Sequence, residues 1–271
     1  MPTHRRTEVD WPEYLSVYHR YNAGITESAF ERLVGCGPGG VTPHDWLADA
    51  VKHAGRALDI GCGSAPMYPR LKGLVSYVGV DLSVEELALA RSLGRGPVLH
   101  ADTRALPIAD GSVDTVLSSM ALMLVSPLGD ALTEISRVLR PGGQFAALVP
   151  TGWPFGMRDV GPLLRLGVAL RGPGAMPQRV SALSWHAQLS KVGLIDVDTD
   201  RRLFRFPVRN DAEAALAVRA LYTPGRSDRQ RQRAVDMLSR WAAPGRSLPV
   251  PLLRVRAVRE GEHEKGIRAD D

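Results

Sequence analysis

The most informative part of this chain is the stretch Ala57-Leu58-Asp59-Ile60-Gly61-Cys62-Gly63-Ser64-Ala65-Pro66. It begins as a short apolar run, typical of a strand buried on both faces. Two closely spaced glycines follow, which let the backbone turn tightly and let a ligand approach the main chain. The proline suits the first turn of a helix, whose free N–H groups favour an anion. The stretch therefore predicts a strand, a tight turn and a helix, with a ligand site at the turn.

A carboxylate follows at the spacing that such a unit requires. Asp81 ends the next predicted strand, 77–80, and comes twenty residues after Gly61. In a Rossmann-like unit, an acid in this position accepts hydrogen bonds from ribose hydroxyls. A dinucleotide fingerprint would have a third glycine where this chain has Pro66. A ribose-bearing ligand without a pyrophosphate therefore fits the pattern better.

Predicted strands and helices alternate along much of the chain. Alternation with short connections predicts an α/β fold with a doubly wound, Rossmann-like parallel sheet. The predicted strands are 56–60, 77–80, 98–100, 113–118, 144–149, 195–206 and 248–259. The predicted helices are 11–22, 43–53 (with Thr42 as the N-cap), 66–72, 84–93, 128–139, 180–192, 211–222 and 227–241, and a turn is predicted at 140–143.

Length and composition exclude several classes of protein. The chain has 271 residues, of which 44% are apolar and 23% charged, as in soluble globular proteins. No apolar run approaches the roughly 18–20 residues of a membrane span, and the N-terminus lacks the apolar region of a secretory signal. Two cysteines form neither a disulfide framework nor a zinc site. We therefore expect a cytoplasmic protein without a metal site.

The chain is basic, with a formal net charge of +5 and 34 basic residues, of which only four are lysines. A basic balance can indicate a nucleic acid partner. The arginine excess accompanies abundant alanine, glycine and proline, which indicates compositional bias and solvated surface. A small molecule is therefore the expected partner rather than a nucleic acid.

Five motifs in register resemble the class I S-adenosylmethionine-dependent methyltransferases, in particular the subgroup that includes the ubiquinone and menaquinone methyltransferases. The resemblance covers about Trp46 to Pro150. It implies S-adenosyl-L-methionine as the cofactor and a seven-stranded sheet of order 3-2-1-4-5-7-6. The motifs are LDIGCGSA at 58–65, Asp81, HADTRALP at 100–107, DGSVDTVLS at 110–118 and EISRVLRPGG at 134–143.

The same resemblance implies roles for the matching residues. Asp81 is expected to bind the ribose, Asp102 the adenine amine, and Asp59 to lie near the ammonium group of the methionine part. The other cofactor contacts that the resemblance implies are Gly61, Cys62, Gly63, Leu82, Thr103 and Ser118.

Residues 1–45 precede the predicted methyltransferase domain, 46–259. The aromatic residues of the predicted helix 11–22 fall largely on one face, and exposing that face to water costs free energy. We therefore predict an N-terminal helical cap over the cofactor, with Tyr18 or Tyr21 near the methionine end.

A general base is needed only if the methyl acceptor must first lose a proton. Many members of the subgroup have a histidine after the fourth strand, where this chain has the apolar run 120–125. The candidates are His19, His186 and Asp159. Each has an alternative: His19 in solvent, His186 on a helix packed against the sheet, and Asp159 at a helix N-terminus.

A segment rich in glycine and proline, 151–180, follows the fifth predicted strand. Ligands of open α/β sheets bind beyond the carboxyl ends of the strands. We therefore predict a lid in which Trp153, Phe155 and Met157 join Met123 in an apolar substrate pocket. A plain connector or a dimer contact would give the same pattern.

Together these observations predict a methyltransferase that acts on a small apolar or aromatic metabolite of specialised metabolism. An RNA-base methyltransferase and a non-catalytic S-adenosylmethionine-binding protein are the alternatives. The charged segment 260–271 is predicted to be a disordered tail. The sequence does not indicate the oligomeric state.

Overall fold

The computed structural model describes residues 9–36, 40–51, 55–73, 76–152, 156–170, 172 and 182–261. Its strands are β1 Val34–Gly35, β2 Arg56–Ile60, β3 Ser76–Asp81, β4 Val98–His100, β5 Val113–Ser119, β6 Leu139–Pro150, β7 Leu194–Pro207 and β8 Ser247–Arg259. Its helices are α1 Trp11–Asn22, α2 Ile25–Phe30, α3 Pro43–Ala48, α4 Tyr68–Leu71, α5 Val84–Ser92, α6 Leu128–Val138, α7 Met157–Leu170, α8 Ala182–Ser190, α9 Asp211–Arg219 and α10 Asp228–Trp241.

The strands form one mixed sheet of eight strands in the order β1-β7-β8-β6-β5-β2-β3-β4. Strands β2 to β8 lie in the order predicted for seven strands, and β8 is antiparallel to both β6 and β7. The prediction was incomplete at one edge, where β1 pairs antiparallel with β7 through Val34 and Arg205. A strand of two residues carries no periodicity in the sequence, so the pattern of apolar residues could not indicate it.

The predicted turn at 140–143 lies inside strand β6. Leu139 pairs with Val113, and the pairing resumes only at Gln144, opposite Thr115. The intervening residues bulge out of the ladder, and Gly142 takes a left-handed conformation with φ 73°. The sequence therefore predicted the turn, but it did not predict that strand β6 begins before the turn, at Leu139.

Each face of the sheet carries a hydrophobic core. On one face, Trp46 of α3, Leu87 of α5 and Phe204 of β7 are buried. On the other face, α6 buries residues at helical spacing, including Leu132 and Ile135. The buried strands between these layers are the near-continuous apolar runs that parallel sheets require.

The segment that follows β6 contains the fourteen-residue helix α7, with Pro162 inside it. The sequence prediction gave only an apolar patch here. The predicted pocket residues Trp153 and Phe155 lie outside the described residues, as does the predicted tail beyond residue 261.

The carboxyl ends of β2, β3, β4 and β5 meet at one edge of the sheet, which is where ligands bind in open α/β folds. Helix α1 packs on α5, and α2 packs on α9, so the N-terminal helices lie beside this edge. Within the described ranges, no helix is both long and apolar enough to cross a lipid bilayer.

Candidate active site

The turn after β2 is shaped by two glycines in left-handed conformations, Gly61 with φ 63° and Gly63 with φ 53°. A Cβ atom at position 61 would lie 2.1 Å from the Cβ of Ala121, so no side chain fits there. The amide of Cys62 donates to the carbonyl of Val80 over 3.0 Å, which ties the turn to β3. The turn thus presents main chain rather than side chains at the strand ends.

Asp81, at the end of β3, accepts hydrogen bonds from the backbone amides of Gly63 and Ser83, each 2.8 Å long. Burial raises the pKa of this carboxyl, and the two amides oppose that effect. A carboxylate has about four lone-pair positions. Two therefore remain for a pair of neighbouring hydroxyls such as those of a ribose.

The next strand ends supply a second carboxylate and an exposed apolar side chain. Asp102 forms an ion pair with Arg104 over 2.6 Å, and the hydrogen bond from Arg104 lowers the pKa of Asp102. Leu82 is 60% exposed, and Thr103 is half-buried. A flat aromatic ring placed beside Leu82 would cover apolar surface that is otherwise in water.

Asp59 is buried on β2. Its Oδ2 atom accepts a hydrogen bond of 2.7 Å from the hydroxyl of Tyr77, whereas Oδ1 has no hydrogen-bond partner among the described residues. Burial raises the pKa of Asp59 to about 7. Because an unpaired buried carboxylate oxygen is costly, the site fits a cationic group such as the ammonium of a bound amino acid.

The cap places a histidine next to these acids. His19 of α1 lies 3.0 Å, through Nδ1, from Oε1 of the buried Glu86. Both carboxylate oxygens of Glu86 also accept from the amide of Gly24, at 3.1 Å each. His19 is near enough to Asp81 for its charge to lower the pKa of that carboxyl. The imidazole is therefore oriented by the Glu86 carboxylate and lies within electrostatic range of Asp81.

Helix α2 is tied directly to the glycine turn. The hydroxyl of Ser64 donates to Glu27 of α2. Arg95 donates to both oxygens of Glu27, over 2.8 and 2.9 Å, and to the carbonyl of Ser64 over 3.0 Å. Any displacement of α2 would therefore disturb the turn.

An aromatic cluster joins α1 to the segment after α9. The hydroxyl of Tyr18 donates to the carbonyl of Arg219 over 2.6 Å, and burial raises the pKa of Tyr18. The ring centroids of Tyr18 and Tyr222 are 4.8 Å apart, and the hydroxyl of Tyr222 lies 3.4 Å from Nε2 of His19. Tyr21, in contrast, is 75% exposed. No role was predicted for Tyr222, because only folding brings it close to His19, which lies 203 positions away in the chain.

The end of β5 holds the residues expected near the reacting end of the cofactor. Ser118 is fully buried, and its hydroxyl has no hydrogen-bond partner in the described part of the chain. Met120 has a left-handed conformation, φ 59°, and its amide donates to Leu148. Met123 is 6% exposed in a short 3-10 turn. The strand end therefore presents one unpaired hydroxyl beside apolar side chains.

The remaining candidates lie elsewhere. His186 is exposed on α8, where its partner is Ser190 at 3.4 Å, and α8 packs on the face of the sheet opposite α5. Asp159 is buried against Arg205 at 2.8 Å, and the hydrogen bond from Arg205 lowers the pKa of Asp159. Met157 is 90% exposed. The structure thus places His19, but not His186, against the buried Glu86 of α5, the helix that follows β3.

Among the described residues, no group of three or more His, Cys, Asp or Glu side chains is arranged to hold a metal ion. The thiol of Cys62 is buried, which raises its pKa and suppresses its reactivity.

Comparison with known proteins identifies the family. Residues 58–147 match the family model described as a methyltransferase domain. An uncharacterised methyltransferase of Mycobacterium tuberculosis is 33% identical over 171 residues, which cover 58% of this chain and 68% of that protein. The chain therefore belongs to the methyltransferase family, in its class I S-adenosylmethionine-dependent branch.

Two further relatives place this assignment in context. A 2-phytyl-1,4-naphtoquinone methyltransferase of Synechocystis is 34% identical over 121 residues, which cover 39% of this chain and 51% of that protein. A phosphoethanolamine methyltransferase of Haemonchus contortus, solved with S-adenosylhomocysteine, has a TM-score of 0.58 at 16% identity and covers 93% of this chain and 61% of that one. The second similarity shows a shared fold.

Proposed function

We propose that this protein transfers a methyl group from S-adenosyl-L-methionine to a small apolar or aromatic metabolite. The observation that carries the proposal is Asp81, with two lone-pair positions that no described residue uses, beside a turn whose two glycines take left-handed conformations. Asp81 suits the hydroxyls of a ribose. The glycine turn suits the rest of the ligand, which would lie against main-chain atoms.

The cofactor fits the remaining groups of the site. Asp59 would hold the ammonium group, since its Oδ1 is buried and unpaired among the described residues. Asp102 would accept from the adenine amine, between Leu82 and Thr103. The backbone at Gly61, Cys62 and Gly63 would pass beside the methionine part, and Ser118 would lie near its sulfur.

Tyr18 would contribute through its ring, because its hydroxyl is already bonded to Arg219. Tyr21, which is exposed, would need a change of rotamer to reach the cofactor.

When bound, S-adenosyl-L-methionine supplies an activated methyl group on a sulfonium. The protein then has to align the acceptor with that methyl group and exclude water. The cap performs both tasks in this proposal, because α1 and α2 are anchored to Glu86 and to the glycine turn. His19 would accept the acceptor's proton, with Glu86 as the residue that orients its ring.

The acceptor is proposed to be apolar or aromatic, and a quinone-type acceptor is one member of that class. Met123 provides buried apolar surface beside the strand ends. The naphthoquinone methyltransferase of Synechocystis acts, by its name, on an aromatic acceptor with a long apolar tail. The lid predicted over 151–180 stays a proposal: Trp153 and Phe155 lie outside the described residues, and Met157 is 90% exposed on α7.

The proposal is tested by incubating the full chain with methyl-labelled S-adenosyl-L-methionine and separate panels of naphthols, hydroquinones and transfer RNA. Label in an aromatic acceptor, lost in an Asp81→Ala variant, is the expected result. Label in RNA alone would favour the RNA-base alternative. Calorimetric binding of S-adenosylhomocysteine without transfer to any acceptor would favour a non-catalytic binding protein and contradict the proposal.

A further inference from the structure

Helix α7 exposes an apolar face to solvent. Met157 is 90% exposed, Val160 38%, Leu164 61% and Val168 70%. Intervals of three and four residues place these side chains on one side of the helix. The opposite side is buried, with Ala169 as one example. Because the inner side of α7 is already buried against the protein, its outer apolar side is expected to be covered by a partner.

The position of α7 connects this face with the candidate active site. The helix follows β6, whose carboxyl end lies on the edge of the sheet that carries the site. It packs inward on α10 and β8. The N-terminal end of α7 therefore comes seven residues after the strand end of β6, on the side of the sheet that carries the candidate site.

A basic cluster borders this face. We define it as Arg165, Arg233, Arg240 and Arg246 together with Trp241. The guanidinium of Arg246 lies 5.6 Å, and that of Arg165 6.0 Å, from the centre of the Trp241 ring. The first three arginines, with Met237 and Trp241, line an open cavity of about 500 Å³. In the part of the chain that the structure describes, none of the four arginines forms an ion pair with a carboxylate.

We propose that the apolar face of α7 and the basic cluster dock the protein onto an anionic membrane surface. An interfacial helix inserts apolar side chains at the level of the headgroups, and neighbouring arginines bind the lipid phosphates. Tryptophan is favoured at that boundary because its ring has an apolar body and a polar edge. This inference rests on the proposed function, because an apolar acceptor partitions into lipid and would reach the site from there.

A membrane fits these observations better than an acidic protein partner does. The apolar residues lie on the outward surface of a single helix, so they offer a convex ridge rather than a groove for a partner helix. A lipid surface adapts to such a ridge. The arginines on one flank of the ridge, whose charges no described carboxylate neutralises, match the negative surface potential of an anionic leaflet.

The test is co-sedimentation of the full chain with vesicles of phosphatidylcholine alone, or of phosphatidylcholine mixed with phosphatidylglycerol. We expect binding to the mixed vesicles that weakens as salt is added. Leu164→Ser should weaken binding by about tenfold or more. Arg165→Gln should weaken it by about fivefold, as expected for one cation near an anionic surface.

Two substitutions at the C-terminal end of α5, one in the helix and one just after it, serve as matched controls, since α5 flanks the opposite end of the sheet. Leu93→Ser removes an apolar side chain that is 50% exposed, and Arg91→Gln removes one exposed positive charge. Both should bind vesicles as the unmodified chain does. Circular dichroism would show that all four variants fold.

Three results would overturn the proposal: no binding to the mixed vesicles, equal binding to both kinds of vesicle, or binding unaffected by Leu164→Ser and Arg165→Gln. Binding to an acidic protein in place of vesicles would favour a protein partner instead. The outcome is separable from methyl transfer, which is measured on acceptors dispersed without lipid. Vesicle binding without transfer would contradict only the proposed function.

Discussion

Asp81 joins the glycine turn and the proposed ribose site in a single carboxylate. It accepts from Gly63 and Ser83 without any ligand, and its free lone pairs face the proposed ribose hydroxyls. A hydrogen bond to a charged group contributes about 1.5–3 kcal/mol. Asp81→Ala is therefore expected to weaken binding of S-adenosylhomocysteine by about 100-fold or more, measured by calorimetry.

Asp110→Ala is a suitable control for that experiment. Asp110 is an exposed carboxylate paired with Arg137, away from the strand ends. Since Asp81 also fixes the glycine turn, thermal unfolding should be recorded for both variants. Unchanged affinity in a folded Asp81→Ala variant would reject the ribose assignment.

His19 has the geometry of an oriented base, with Nδ1 on Glu86 and Nε2 3.4 Å from the hydroxyl of Tyr222. General-base catalysis contributes about 10²- to 10⁴-fold to a rate. His19→Ala should therefore lower kcat by that factor and leave the affinity for S-adenosylhomocysteine nearly unchanged. Glu86→Gln should lower kcat less, because it keeps the imidazole but loses the charge that orients it.

The histidine on α8 provides the comparison for this pair. His186→Ala should leave kcat unchanged, because His186 is exposed on the opposite face of the sheet. A nearly normal rate in His19→Ala would leave alignment of the acceptor as the main catalytic device. An effect on cofactor affinity alone would assign His19 to binding.

At the scale of elements, α1 is the part of the cap that can be removed most cleanly. None of its residues is fully buried, and Tyr18 and His19 provide its main polar contacts. Ala29 and Leu33, further along, belong to the hydrophobic core. Deleting residues 1–22 should therefore leave a cooperatively folded sheet, whereas deleting residues 1–40 would also remove part of the core.

We expect the chain without residues 1–22 to lose methyl transfer by about 100-fold or more, because water then reaches the reacting groups and His19 is gone. Turnover with labelled cofactor and thermal unfolding by circular dichroism measure the two effects separately. Full turnover in the shortened chain would show that α1 does not close the site.

The sequence predicted those elements whose residues all satisfy one local rule. Strand β2 follows from a short apolar run. Helix α5 follows from a run of helix-forming residues that begins after the capping residue Ser83. Helix α7 was missed because glycines and Pro162 lower its intrinsic helix propensity, and packing on α10 stabilises it instead. Strand β1 exists only because β7 has a free edge for it.

At the scale of the whole molecule, the same distinction applies to the candidate site. Asp81 could be placed from sequence, because it ends the strand that follows the glycine turn, whereas Asp59 and Asp102 were indicated by the resemblance to the family. The contact between His19 and Glu86 joins residues 67 positions apart, and Tyr222 comes from beyond α9. Such contacts arise from the packing of helices, which no local pattern encodes. The roles of all these residues stay predictions.

Asp59 couples the stability of the whole molecule to pH. In the fold its pKa is raised to about 7 by burial, with the charge of Asp81 contributing in the same direction. In the unfolded chain an aspartate titrates near pH 4. Between these values the folded protein holds a proton that the unfolded chain has lost. The contribution of Asp59 to the free energy of unfolding should therefore fall as pH rises from about 4 to about 7, by at most about 1.4 kcal/mol per unit.

Bound S-adenosylhomocysteine should change this proton balance, because an ammonium group beside Asp59 favours the ionised carboxyl. Binding near pH 7 is then accompanied by release of a proton, and affinity rises with pH through that range. Calorimetry in buffers of different ionisation enthalpy measures the release, and denaturant titrations from about pH 5 to pH 8 measure the stability slope. Asp59→Asn should abolish the release and flatten the slope. If both persist in that variant, another group carries the proton and Asp59 does not face the ammonium.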